Sequence, residues 1–65
     1  MQAERIRSEL TKARRRLEGL NDQIERPVDR RKRLQLRLSR DRVAFLIADL
    51  EYQLTLAQTA EERRD

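Results

Sequence analysis

Apolar residues in the first third of the chain recur with the period of an α-helix. Successive gaps of 4, 3, 4, 3 and 4 separate Ile6, Leu10, Ala13, Leu17, Leu20 and Ile24. This heptad spacing aligns the apolar side chains along one narrow face, and charged residues fill most other positions. Gly19 could end the helix early, but Leu20 and Ile24 keep the phase. The pattern therefore predicts a first helix over about residues 3–25.

The pattern breaks at Pro27, which lacks a backbone N–H and disfavours helical geometry at Arg26. Asp29 follows, and a carboxylate near a helix N-terminus interacts favourably with the helix dipole. We therefore predict a turn at residues 26–27 and a second helix over about residues 28–63. A connection this short favours antiparallel neighbours, so the expected fold is all-α, an antiparallel two-helix hairpin of coiled-coil type.

The second predicted helix is apolar on two sides. In residues 43–57, eleven of fifteen residues are apolar, and at about 100° per residue they form two stripes. The first stripe holds Val43, Leu46, Ile47, Leu50, Leu54 and Ala57. The second lies roughly opposite and holds Phe45, Tyr52 and Leu56. One partner helix cannot cover both stripes, so the hairpin is expected to leave one of them exposed.

A two-residue turn also predicts a register, in which facing residue numbers sum to about 53. Ile6 then meets Ile47, and Leu10 meets Val43. In this register the end of the second helix extends about 15 Å beyond the first. The residues then left without an intrachain partner include Leu54, Leu56 and Ala57. Near the turn, Arg33 and Arg40 occupy seam positions where only their aliphatic stems can pack, so that end should be loosely packed.

One long helix kinked at Pro27 is an alternative fold. The seam of the first helix continues in phase through Leu34, Leu38, Phe45 and Tyr52. An interior proline costs roughly 3 kcal/mol, and Arg31 and Asp41 would also stand on the extended seam. Since the better seam of the second half is out of phase with this extension, the hairpin is favoured.

The composition limits how the fold can be stabilised and which catalytic or metal sites the chain can form. The 65 residues contain no cysteine and no histidine, which excludes disulfides, zinc sites of cysteine or histidine, and catalysts that need either residue. A single domain of this size often needs a disulfide, a bound metal or an oligomeric partner for stability, and oligomerisation is the one of these that remains. We expect a two-fold dimer that forms a four-helix bundle, with an interface at Leu34, Leu38, Phe45, Tyr52, Leu54 and Leu56.

Charge is spread unevenly along the chain. Residues 12–42 carry twelve basic and five acidic residues, and fourteen of the sixteen basic residues are arginine. The arginine guanidinium suits phosphate oxygens, so this region is a candidate polyanion surface. Its residues are Arg14, Arg15, Arg16, Arg30, Arg31, Lys32, Arg33 and Arg37. A solvated helix face is the competing interpretation, and no aromatic residue interleaves the arginines as a stacking platform.

These patterns favour a non-enzymatic protein–protein interaction or assembly module that associates with itself or with another helical protein. A small nucleic-acid-binding regulatory protein that uses the basic end is the alternative. The serines lack an activating histidine and the carboxylates form no pair on one helix face, so we expect no enzyme, no cofactor, no metal and no small-molecule substrate. No signal peptide or membrane span is recognised, and a cytoplasmic protein is the default expectation.

Overall fold

The protein is a helical hairpin. The computed structural model describes residues 2–63 and contains two helices, α1 (Gln2–Glu25) and α2 (Arg30–Glu62). They pack against each other in a rod with extents of 55 × 14 × 12 Å. The predicted all-α hairpin is confirmed, and the single kinked helix is wrong because the chain turns back after Glu25.

The connection spans residues 26–29, so α2 begins two residues later than predicted. Asp29 is the N-cap rather than a residue of the first turn: its backbone is extended (φ −67°, ψ 164°), and its Oδ1 accepts a 2.7 Å hydrogen bond from the Lys32 backbone N–H. The N-cap thereby satisfies one of the free donors of the first turn. At the end of α1, the Arg26 side chain donates to Asp22 at 3.0 Å.

The core is small and wholly aliphatic. Among residues 2–63 no polar side chain is buried, and the buried residues are Ala3, Leu10, Ala13, Val43, Ile47 and Leu50. Four partly buried residues extend this core along the hairpin: Ile6, Leu17, Leu20 and Leu54. Core residues on both helices follow the helical period, which confirms the phase predicted for each seam. Alanines at two of the three buried α1 positions allow α2 to approach closely.

The register differs from the predicted one by nearly two helical turns. Ala13 lines a groove with Val43, Leu46 and Leu50, whereas the short-turn register placed it opposite Arg40. The end of the hairpin away from the turn, the open end, shows the same register shift, because Gln2 and Ile6 of α1 line another groove together with Ala57 and Ala60 of α2. The expected overhang of Leu54 and Ala57 is therefore wrong. Leu54 packs against the core, and both residues are partly buried.

The turn end is more loosely packed than the open end, as expected. Leu20, Ile24 and Leu36 are only partly buried there, and all six buried residues lie further from the turn. Arg33 and Arg40 are half-buried, and the side chain of Arg40 forms an ion pair with Asp41 at 3.2 Å. The arginine stems thus cover part of the space that apolar side chains fill elsewhere.

Candidate interaction surface

The most prominent surface feature is a row of large apolar side chains on α2, which we call the outer stripe. It consists of Leu34, Leu38, Phe45, Tyr52 and Leu56. All five are exposed, from 53% for Leu38 and Leu56 to 78% for Phe45. They are five of the six residues that the sequence suggested for an interface. The sixth, Leu54, lies on the core side of α2.

The outer stripe lies directly opposite the core face of α2. At 100° per residue its five members fall within a sector of about 40°, and the buried Val43, Ile47 and Leu50 are centred roughly 170° away. Since α1 covers the core face, it cannot also cover the outer stripe. Leu46 is exposed too, at 48%, but it lies outside this sector and lines a groove beside α1. Leu56 lies within the sector and also lines a groove with Gln2 and Ile6 of α1, so its end of the stripe adjoins α1.

The outer stripe has heptad spacing from Leu34 to Tyr52, and Leu56 lies one position beyond the next heptad site. Its residues are separated by 4, 7, 7 and 4 positions, and Asp41 and Ala48 occupy the intervening heptad positions. Ala48 is small, and Asp41 is held by Arg40. The stripe extends over roughly 33 Å of helix, or about six turns. A helix of similar length could lie along all of it.

The charges of α2 divide sharply near the middle of the outer stripe. Residues 30–42 carry seven basic side chains and one acidic one, whereas residues 43–62 carry four acidic side chains and no basic one. Arg42 and Asp49 flank the stripe on the same side of the helix. Among residues 2–63 neither forms an ion pair, and Asp49 accepts a hydrogen bond from the Gln53 amide at 2.8 Å. Their charges are free to meet a partner.

A basic groove lies at the first turns of α2. It is lined by Arg30, Arg31, Arg33, Leu34 and Arg37. None of these four arginines forms an ion pair with a carboxylate of the described chain. The Arg33 Nε atom is buried and lacks a hydrogen-bond acceptor. A buried donor without an acceptor is costly, but this atom is enclosed by the protein. The side chains that an acidic ligand in this groove can reach are the exposed Arg30, Arg31 and Arg37.

The eight residues suggested for polyanion binding do not form one surface. The register shift moves Arg14, Arg15 and Arg16 away from the basic groove, towards the middle of the rod. Arg14 pairs with Glu51 at 3.6 Å, and Arg16 lines the groove that contains Leu46. Lys32 is exposed in the first turn of α2 but does not line the basic groove. Only Arg30, Arg31, Arg33 and Arg37 come together.

The sequence suggested Asp29 for a helix N-terminus but not its capping hydrogen bond, and it did not single out Arg42 or Asp49 for an interface. The signal for Arg42 and Asp49 was available in the charge division of α2, but it becomes meaningful only once the exposed face is known. In the described part of the chain, no group of three histidine, cysteine or acidic side chains is placed to hold a metal ion. Neither described helix is long and apolar enough to cross a bilayer.

Compared with protein-family models, with curated proteins and with solved structures, the chain matches none of them. Its function is therefore inferred from its own residues and geometry.

Proposed function

We propose that this protein is an assembly module, a helical hairpin that associates with a second copy of itself through the outer stripe. The single observation that supports this most strongly is the exposure of five large apolar side chains in one narrow row. Isolated apolar residues are normal on protein surfaces, but a contiguous apolar row marks a binding surface or an aggregation hazard. Charged flanks make specific association the better explanation.

Phe45 is the centre of the proposed interface. It is 78% exposed in the isolated hairpin, and fully burying a phenylalanine side chain contributes about 1.5–3 kcal/mol. Central aromatic residues are also where binding energy concentrates in protein interfaces. Leu38 and Tyr52, one heptad to either side, would surround it with apolar contacts.

Phe45→Asp tests this function. A carboxylate at the centre of the interface would be desolvated without a partner, so we expect the dimer to weaken at least thirtyfold, about 2 kcal/mol. The helical content should change little, because Phe45 makes no part of the hairpin core. Sedimentation equilibrium across a concentration series measures the first effect, and far-ultraviolet circular dichroism measures the second.

Ser8→Asp is the matched control. It adds the same charge at an exposed position on the outer side of α1, away from the stripe. We expect it to dimerise like the wild type. A wild-type protein that stays monomeric at every concentration, or a Phe45→Asp variant with unchanged mass, would refute self-association through the outer stripe.

Binding of a polyanion such as a nucleic acid is a second candidate function, favoured by the arginines of the basic groove, none of which forms an ion pair with a carboxylate of the described chain. We expect a 20-base-pair DNA duplex or a 20-nucleotide RNA to bind at low salt, with an affinity that falls steeply as the salt concentration rises. Replacing Arg30, Arg31 and Arg37 with glutamine should remove most of this binding in a fluorescence anisotropy titration.

The control for this second function replaces Arg5, Arg7 and Arg15 with glutamine, which changes the net charge equally but leaves the basic groove intact. Equal losses in the two triple variants would indicate only non-specific attraction by net charge. The absence of any anisotropy change at low salt would remove the candidate function altogether.

A further inference from the structure

The outer stripe is symmetric about Phe45. Leu38 and Tyr52 lie seven residues to either side of it, and Leu34 and Leu56 lie eleven residues to either side. A two-fold interface between identical helices must be self-complementary, so that residue i contacts residue j of the partner and j contacts i. For two antiparallel helices this requirement is met by a stripe with mirrored spacing.

We infer that two copies pair through α2 in antiparallel orientation, with the two-fold axis at Phe45. This inference rests on the proposed function, since it specifies the geometry of the same interface. Leu34 then faces Leu56 of the second copy, Leu38 faces Tyr52, and the two Phe45 rings meet at the axis. A shift of one heptad in either direction would leave at least one end of each stripe exposed to water.

The charge division of α2 favours the antiparallel orientation over the parallel one. Antiparallel pairing about Phe45 places residues 30–42, with seven basic side chains, against residues 48–60 of the second copy, which carry two acidic side chains and no basic one. Parallel pairing places the two basic halves side by side. It also places Asp41 opposite Asp41 at a heptad core position, where two carboxylates would be desolvated together. In the antiparallel pair Asp41 lies next to the small Ala48 of the second copy on the same flank, and comes level with Asp49 of the second copy on the opposite flank.

Two specific ion pairs follow from this geometry. Arg42 lies three residues before Phe45 and Asp49 lies four residues after it, on the same flank of α2. A two-fold axis at Phe45 brings Arg42 of each copy beside Asp49 of the other. Neither residue has an ionic partner within the described chain, so pairing costs no existing ion pair.

Cysteine cross-linking tests the orientation, and the chain contains no cysteine of its own. Leu34→Cys and Leu56→Cys variants are oxidised in a glutathione buffer, each alone and as an equimolar mixture. We expect a disulfide-linked dimer in the mixture, formed between position 34 of one copy and position 56 of the other. Each variant alone should give at least tenfold less cross-linked dimer.

Each other outcome has a definite meaning. Cross-linking of each variant alone, without a mixed product, would establish parallel pairing and overturn this inference while leaving self-association intact. A dimeric mass with no cross-link in any sample would place the interface elsewhere and also overturn the inference. A monomeric wild type would instead be the failure of the proposed function.

A charge exchange gives a second test that does not use cysteine. Arg42→Asp and Asp49→Arg should each weaken the homodimer roughly tenfold, because two facing ion pairs become two like-charge contacts. Mixing the two variants restores opposite charges at both contacts, so the mixture should dimerise as tightly as the wild type. The mixture pairs a copy that is negative at both positions with one that is positive at both, so its recovery tests the charge contacts, whereas the cross-linking decides the orientation. Single variants that dimerise as tightly as the wild type would contradict the Arg42–Asp49 contacts.

Discussion

At the scale of single residues, the hairpin separates leucines of similar sequence context into two environments. Leu10 is 3% exposed in the core, whereas Leu38 is 53% exposed on the outer stripe. Helical periodicity predicted both placements, because it assigns each apolar residue to a face of its helix. It missed Ala3, which continues the α1 seam by one further step but is small enough to pass as a surface residue.

Replacing each of these two leucines with alanine should change the stability of the hairpin by very different amounts. Leu10→Ala removes buried methyl groups from a small core and should destabilise the hairpin by about 2–5 kcal/mol. That loss approaches the whole stability expected for a domain of this size, about 3–5 kcal/mol, so the variant should be largely unfolded at 25 °C. Urea titration followed by circular dichroism measures it.

The control, Leu38→Ala, should change the free energy of unfolding of the dilute, monomeric hairpin by less than about 0.5 kcal/mol, because the exposed Leu38 side chain buries little apolar surface there. It should weaken association at higher concentration. Equal destabilisation of the two dilute variants would contradict the separation of the α2 surface into a core face and an outer stripe.

At the scale of the helices, the sequence predicted that two helices form and which face of each is apolar. It did not correctly predict the residue at which α2 begins or the register in which α1 pairs with α2. Pro27 indicated the break, but only the hydrogen bond from Lys32 to Asp29 shows that the helix begins after the acidic residue. The register was predicted from the length of the turn. It is set instead by packing, because Ala13 admits the bulkier Val43 and Leu50 of the same core cluster, and a four-residue connection accommodates the shift.

Gly19 offers a test of the continuity of α1. It lies in the interior of the helix, and a Cβ atom added there would meet nothing within 4 Å. Gly19→Ala should therefore stabilise the hairpin by about 0.5–1 kcal/mol, since alanine loses less conformational freedom on folding. For a domain of this size, 1 kcal/mol corresponds to a rise in melting temperature of about 4–8 °C. An unchanged or lower melting temperature in a thermal scan would contradict a helix that is continuous through residue 19.

At the scale of the whole molecule, the arrangement of the proposed dimer is the part that sequence patterns describe least well. The two apolar stripes of α2 were recognisable, and their opposition follows from the helical period. A four-helix bundle was expected from them, yet a core face and an outer stripe on opposite sides of α2 favour a different arrangement. Dimerisation through the outer stripe would place the two α2 helices at the centre and each α1 on the outside, so that the four helices lie in one row.

The expected response of the proposed dimer to salt follows from the same charge distribution. Antiparallel pairing sets basic segments against acidic ones at short range, and the two basic ends lie far apart compared with the screening length of about 10 Å at 0.1 M salt. Raising the salt concentration from 50 to 500 mM should therefore weaken the dimer, by roughly three- to tenfold. Parallel pairing would show the opposite sign, because salt would screen repulsion between the two basic halves. Sedimentation equilibrium at several salt concentrations measures the dependence.

In a variant with Arg42→Gln and Asp49→Asn the dependence of dimer affinity on salt should be smaller, since the two ion pairs nearest the axis are gone while the outer stripe is intact. A dimer that tightens with salt would contradict the antiparallel arrangement, because the apolar contacts are common to both orientations and only the placement of the charges distinguishes them.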